Sequence, residues 1–298
     1  MLHQPVFVKE VLDALQCKAG GIYVDATLGT AGHSLEILKA SEPEGLLIGI
    51  DRDGKSLEGA KERLKNFAGR VRFCHANYSE IQTALSQIGV TAVDGIVADL
   101  GMSSWQLEQD ERGFSFMKEG PLDMRMNTQE GPTAKELLRR TNEKELEEIL
   151  RNFGEERLAK KIARVIAEEM NNNTIQTTTD LANVIRRLYP PLHHRHHRID
   201  PATRTFQALR IWVNDEWNSL RKFLEVAPLL LKEEGTLCIL SYHSLEDRLV
   251  KHAFRDLAKE NKDFKVLTKK PIKPCDAEIQ ENPRARSAKL RALRRVAI

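Results

Sequence analysis

A chain of 298 residues, 41% hydrophobic and 30% charged, has room for one large domain or a core carrying an insertion, and its balance is that of a globular protein. The longest apolar runs, such as Leu46 to Ile50, are strand-sized and exclude a membrane span, and the N-terminus lacks the basic and apolar regions of a secretory signal. Cys17, Cys74, Cys238 and Cys275 include no Cys-x-x-Cys pair, which argues against structural zinc or a disulfide scaffold and suits a cytoplasmic protein. The net charge is only +3, but it is unevenly spread. Residues 143–148 are acid-rich, whereas 186–210 and 284–295 are basic, the latter with six Lys or Arg and no acid. Clustered positive charge is either a solvated tail or a phosphate-backbone contact.

In chain order, Gly21 to Ala26 is a strand-like run, followed by a glycine turn and a helical pattern from Ser34 to Ala40. Leu46 to Asp51 is a buried-strand pattern, Lys55 to Phe67 helical, and Val71 to Cys74 a third strand. Ile81 to Ile88 is helical and Gly95 to Leu100 a fourth strand. This alternation predicts parallel βαβ units in a doubly wound sheet. Gly101 to Pro132 has no clear period and is too long for an ordinary connection, so it reads as a functional loop or the entry to an insertion. From Thr133 to Tyr189 the pattern is helical, with Leu158, Ile162, Val165 and Ile166 on one face and Leu181, Val184, Ile185 and Leu188 on another. Thr179 and Asp180 are candidate caps for the last of these helices, and Pro190-Pro191 ends it. Phe206 to Leu231 reads as one long amphipathic helix stopped at Gly235. Thr236 to Ser241 is a further strand, and Ser244 to Asp247 has capping-box spacing. The expected organisation is a Rossmann-like α/β core in two parts, 1–104 and 204–298, interrupted by a helical insertion over 105–203.

The strand–turn–helix of Asp25-Ala26-Thr27-Leu28-Gly29-Thr30-Ala31-Gly32-His33-Ser34 is a candidate cofactor turn, because glycines allow close backbone approach to a ligand. Ligands of a doubly wound sheet lie at the carboxyl ends of the strands. Asp51 ends the next strand, where a carboxylate can accept bonds from two ribose hydroxyls, and Asp99 ends the fourth strand facing the same crevice. The turn lacks the full G-x-G-x-x-G, which favours S-adenosylmethionine over NAD. Arg52 and Asp53 read as solvated, and His33 as either a site residue or a surface helix cap.

Longer strings of residues narrow the reading. His3-Gln4-Pro5-Val6, Asp25-Ala26-Thr27-Leu28-Gly29, Gly49-Ile50-Asp51-Arg52-Asp53, Asp99-Leu100-Gly101-Met102-Ser103-Ser104, Arg112-Gly113-Phe114-Ser115-Phe116, Pro121-Leu122-Asp123-Met124-Arg125-Met126, Pro201 to Ile211, His243-Ser244-Leu245-Glu246-Asp247-Arg248 and Asn282 to Arg291 run almost from end to end. With them the chain resembles the ribosomal RNA small subunit methyltransferase H family, also known as the MraW family. The resemblance implies a class I S-adenosylmethionine-dependent methyltransferase core with an inserted helical domain for RNA recognition. It also implies N4-methylation of a cytosine, cytosine 1402, in 16S ribosomal RNA at the decoding centre of the 30S subunit. The implied cofactor contacts are Ala31, Gly32, His33, Asp51, Tyr78 beside the adenine, Asp99 and Gln106. The chain departs from the family pattern at Ala31, where glycine is usual, at Tyr78 and Tyr242, where phenylalanine is usual, and at Trp105, where proline is usual.

The cytosine N4 lone pair is delocalised, so the enzyme must hold the amine in line with the methyl group and offer an oxygen acceptor for its hydrogens. Asp99, the Leu100 to Met102 carbonyls, Ser103 and Ser104 follow a strand end and are placed for this, with Asp99 assigned to the cofactor. His243, after the next strand, is a candidate for orienting the base or relaying its proton, or else a helix-stabilising residue. The His193-His194-Arg195-His196-His197 run lacks acidic co-ligands and reads as an RNA-facing basic loop continued by Arg204 and Arg210, not as a metal site. Phe114 and Phe116 either stack on bases or pack in a core. The partner expected is the small ribosomal subunit, with no membrane, and the sequence leaves room for a homodimer. The rivals are a small-molecule or NAD enzyme and a non-catalytic RNA-binding module.

Overall fold

The computed structural model describes residues 5–190 and 200–297. The chain divides into two compact units, one built from the residues through Gly101 together with those from Asn218 onward, the other from Met102–Trp217.

In the first unit, β1 (Ile22–Asp25), β2 (Leu46–Asp51), β3 (Val71–His75), β4 (Val93–Asp99), β5 (Leu231–Ser241), β6 (Phe264–Val266) and β7 (Lys289–Arg295) form one sheet. The order is β3-β2-β1-β4-β5-β7-β6. The first five strands are parallel, and β7 runs antiparallel between β5 and β6. Alternate side chains enter opposite layers, as a period of two requires. Val24, Ile48, Ile50, Ile96 and Ile239 meet Ile81, Leu85, Phe223 and Phe254 on one face. Tyr23, Leu47, Val97, Cys238 and Leu240 meet Val11, Ile37, Leu38 and Leu57 on the other. Burial on both faces is why these strands read as continuous apolar runs. The flanking helices are α1 (Val8–Leu15), α2 (Gly32–Ala40), α3 (Gly54–Arg63) and α4 (Ile81–Gln87).

The second unit holds α5 (Ser104–Glu108), α6 (Ala134–Arg140), α7 (Glu143–Gly154), α8 (Ala159–Asn171), α9 (Thr178–Arg186) and α10 (Ala202–Val213). Leu146, Leu150, Ile162, Ile166, Leu181, Ile185, Phe206 and Leu209 form its core. The aperiodic stretch before α6 is held by buried polar side chains in place of regular backbone pairing. Arg112 donates through Nη2 to the carbonyls of Arg125 and Met126 (3.1 and 2.8 Å). Asn214 donates to the Met124 carbonyl and accepts from the Met126 N–H, both at 2.7 Å. Gly113 takes φ +70°, and a Cβ there would lie 2.1 Å from the Pro121 carbonyl oxygen.

Several expected boundaries move. The helix expected over 206–231 is two helices, α10 and α11 (Glu216–Val226), separated at Asp215, whose φ of 47° is left-handed. The apolar face of α10 enters the helical core and that of α11 the sheet core. The return to the sheet unit therefore lies at Asn218, later than the expected 204. Gly235 is not a helix stop but lies inside β5, opposite the register shift between Val93 and Gly95. The cap of α9 is Thr177, with Asp180 completing its capping box, in place of Thr179 and Asp180. The box at α12 (Ser244–Glu260) is formed by His243 and Glu246, one residue earlier than expected. Among the described residues no helix is long and apolar enough to cross a membrane.

Candidate functional site

The parallel strands reverse their order of addition between β1 and β4, and the carboxyl ends of such neighbours splay to leave a crevice. Three carboxylates end strands on this rim: Asp25 on β1, Asp51 on β2 and Asp99 on β4. Asp51 accepts the Gly29 N–H on Oδ2 at 2.7 Å and the Asp53 N–H on Oδ1 at 2.8 Å. Burial pushes its pKa up to about 6, against the opposing pull of those two N–H groups. A carboxylate has about four lone-pair directions, so each oxygen keeps acceptor capacity for a vicinal diol.

Asp25 is almost fully buried. It accepts from Ser34 Oγ at 2.7 Å and from the Thr27 N–H at 3.2 Å, tying both ends of the turn to β1. Burial raises its pKa, with His33 acting against that. The turn takes left-handed backbone at Gly29 (φ 47°) and Ala31 (φ 58°) before α2 begins at Gly32. Ala31, buried and small, occupies a conformation that disfavours any larger side chain. Pro5 lies against Gly32 so closely that a Cβ there would meet its Cγ at 2.8 Å. His33 is buried, not a surface cap. Its Nε2 bonds the Val6 carbonyl at 2.8 Å and its Nδ1 lies 4.0 Å from Asp99 Oδ2. Nε2 therefore donates to that carbonyl, which leaves Nδ1 turned towards the carboxylate.

Asp99 is fixed through its backbone N–H, which donates to Thr27 Oγ1 at 2.6 Å, and through Oδ1, which accepts from Tyr242 Oη at 2.7 Å. Burial raises its pKa and Glu246 adds to that, while His33 and Tyr242 oppose it. Tyr78 lies in a one-turn helix after β3, edge-on to Phe223 at 5.3 Å between centroids. Asp53 is buried and caps α3 through the Lys55 N–H, so the expectation that it is solvated fails: the chain needs its side chain to start the helix.

His243 is the N-cap of α12. Its Nδ1 accepts the Glu246 N–H at 3.4 Å, and Nε2 lies 3.0 Å from Glu246 Oε1 in a direction that makes no hydrogen bond. In the second unit, Ser103 caps α5 by accepting the Gln106 N–H, and Gln106 Oε1 accepts the Ser103 N–H in return. Ser104 is the first residue of that helix. Trp105 faces the Arg112 guanidinium at 5.7 Å, a cation–π contact that braces this segment without a proline.

The structure brings Ala31, Gly32, His33, Asp51 and Asp99 together with Asp25 and Tyr242, which the sequence reading gave no role. Asp25 was discoverable, since it ends a strand by the same rule as Asp51. Tyr242 was visible only as a departure from a family pattern. Other expectations change. The basic C-terminal tail is largely sheet: Arg291 is buried and pairs with Asp247 at 2.6 Å, Lys289 joins it at 2.9 Å, and Arg295 donates to the Leu231 carbonyl. Of the Lys and Arg residues in that run, Arg284 and Arg286 are the exposed ones. Arg210 is held in a two-point pair with Glu216 at 2.9 Å. Phe114 is buried, which removes base stacking for it, whereas Phe116 is partly exposed and packs edge-on to Phe206 at 4.8 Å. The run His193 to His197 lies outside the described residues.

A sheet in this order with one reversed strand, a glycine turn after β1 and acids closing β1, β2 and β4 define a class I S-adenosylmethionine-dependent methyltransferase. The chain belongs to the MraW methylase family, whose model matches residues 1–296. It is 46% identical to the ribosomal RNA small subunit methyltransferase H of Halothermothrix orenii, over 99% of this chain and 98% of that protein. It is 48% identical to the protein of that name from Citrifermentans bemidjiense with the same coverage. With the one from Clostridioides difficile it shares 42% identity over 99% of each.

Proposed function

We propose that this enzyme transfers a methyl group from S-adenosylmethionine to the exocyclic N4 of a cytosine in small-subunit ribosomal RNA, cytosine 1402 of 16S RNA, in the cytoplasm. The observation that carries the donor half is the rim of three strand-end carboxylates around the glycine turn. Such a rim attracts a cationic sulfonium and repels the diphosphate of a dinucleotide. The RNA half rests on family membership and on the relatives' names.

The residues present fit the donor. Asp51 takes the ribose hydroxyls, the N-terminus of α2 with Ala31, Gly32 and His33 takes the amino-acid end, and Tyr78 lies beside the adenine. Asp99 accepts from the donor's ammonium. The bound donor supplies a methyl group already activated by positive charge on sulfur. Gln106 is assigned to the donor by the sequence resemblance, and Ser103 and Ser104 to the base by their place after the end of β4. His243 orients the cytosine from the start of α12.

The protein's work on the acceptor is positional: holding N4 on the far side of the methyl from sulfur converts a slow encounter into a near-attack arrangement. An oxygen acceptor for the N4 hydrogens localises the nitrogen lone pair and removes the proton as the bond forms. Methyl transfer from labelled donor to naked 16S RNA and to assembled 30S particles, followed by nucleoside analysis, tests the reading. N4-methylcytidine is the expected product. Label on a ring carbon, on another base, or on neither substrate rejects it.

A further inference from the structure

We infer that Tyr242 is a positioning residue for methyl transfer, holding the Asp99 carboxylate so that one oxygen stays open at the rim. This rests on the reading of the rim as the donor's site.

A carboxylate at a strand end can rotate about its last torsion and present either oxygen. Here that freedom is removed from one side. The Tyr242 hydroxyl donates to Oδ1 at 2.7 Å, leaving Oδ2 as the atom beside His33 Nδ1. Asp99 keeps 24% of its side chain exposed, so the carboxylate is not sealed off. The tyrosine is itself anchored, because its backbone N–H donates to Oε2 of the buried Glu246 at 2.9 Å. Glu246 lies in the first turn of α12 and also closes the cap with His243. A helix start, a backbone amide and a phenol thus form one continuous brace behind Asp99. Burial, with the charge of Asp99, raises the Tyr242 pKa well above its usual value, so the phenol remains a donor throughout the working range.

The groups acting on Asp99 are His33 from α2, Tyr242 after β5, Glu246 from α12 and Asp25 from β1. Of these only Tyr242 donates a hydrogen bond to a carboxylate oxygen. A donor to the charged form lowers a carboxyl pKa, so losing it raises the pH at which Asp99 ionises and takes up a cationic ligand.

The test is calorimetric titration with S-adenosylmethionine from pH 5 to 9 on the wild type, Tyr242→Phe, Asp99→Asn and the double variant. Tyr242→Phe keeps the ring and removes one oxygen. Its acidic fall in affinity should move upward by about one pH unit, while affinities converge towards pH 9. In the Asp99→Asn background the same change should alter affinity less than about twofold at every pH. A uniform loss across the range, an unchanged profile, or an equal shift without Asp99 overturns the inference and leaves the donor site standing. No binding by the wild type at any pH removes the donor site, and the inference with it.

Discussion

Asp51 gives the sharpest quantitative test, because the same carboxylate governs stability and ligand affinity in opposite directions. Burial lifts its pKa from 3.8 to about 6. A carboxyl whose folded pKa is raised favours the fold at low pH, and that contribution disappears as pH rises through the folded value. The shift of about two units corresponds to roughly 3 kcal/mol once both states are ionised. Linkage places about 2.5 kcal/mol of this between pH 4 and pH 8, an upper figure because the side chain is partly open to solvent and water screens it. Asp51→Asn cannot ionise, so its stability relative to the wild type should improve by about 2 kcal/mol over that interval. It also carries a fixed offset, because the amide turns one N–H towards either the Gly29 or the Asp53 N–H. Urea unfolding of both proteins at pH 4, 6 and 8 measures the difference. Donor affinity should behave inversely, falling below pH 6 in the wild type as Asp51 takes up its proton, and being weak in Asp51→Asn, whose remaining pH dependence is that of Asp99. Parallel stability profiles would refute the buried-carboxylate argument, and wild-type donor affinity in Asp51→Asn would remove the residue from the ribose.

Replacing Arg291 with Ala should cost about 2–4 kcal/mol of stability in urea unfolding, since it strips a buried partner from Asp247; a loss under 0.5 kcal/mol (about the experimental scatter) would return it to the RNA footprint. Neutralising the exposed Arg284 and Arg286 together should reduce the slope of log affinity for RNA against log salt by about 1.4–1.8, and an unchanged slope shows that they touch no phosphate. His243→Ala should lose about 1 kcal/mol as a cap and at least tenfold in turnover for its hold on the base. A rate within twofold of wild type leaves it a cap alone. Phe114→Ala should destabilise the protein by about 3 kcal/mol without altering the salt slope, and a changed slope at wild-type stability would reinstate contact with RNA.

What could be read from residue order alone was whatever is local or periodic. Leu46 to Ile50 is apolar throughout because a central parallel strand is covered on both faces, and that pattern needs no knowledge of its neighbours. Asp51 and Asp99 were legible as site residues because a doubly wound sheet gathers the carboxyl ends of its strands at one rim. The fate of charge was not legible. Arg284, Arg286 and Arg291 are alike in the sequence, yet pairing with Asp247 across more than forty positions buries one and leaves two exposed. Phe114 and Phe116 are equally ambiguous until the helical core encloses the one and packs against the other. The cap at His243 and the brace from Tyr242 to Asp99 likewise depend on a strand end, a helix start and a distant rim meeting in space. Periodicity reports which face of an element is apolar, whereas the partner that satisfies a polar atom is chosen only when the elements pack.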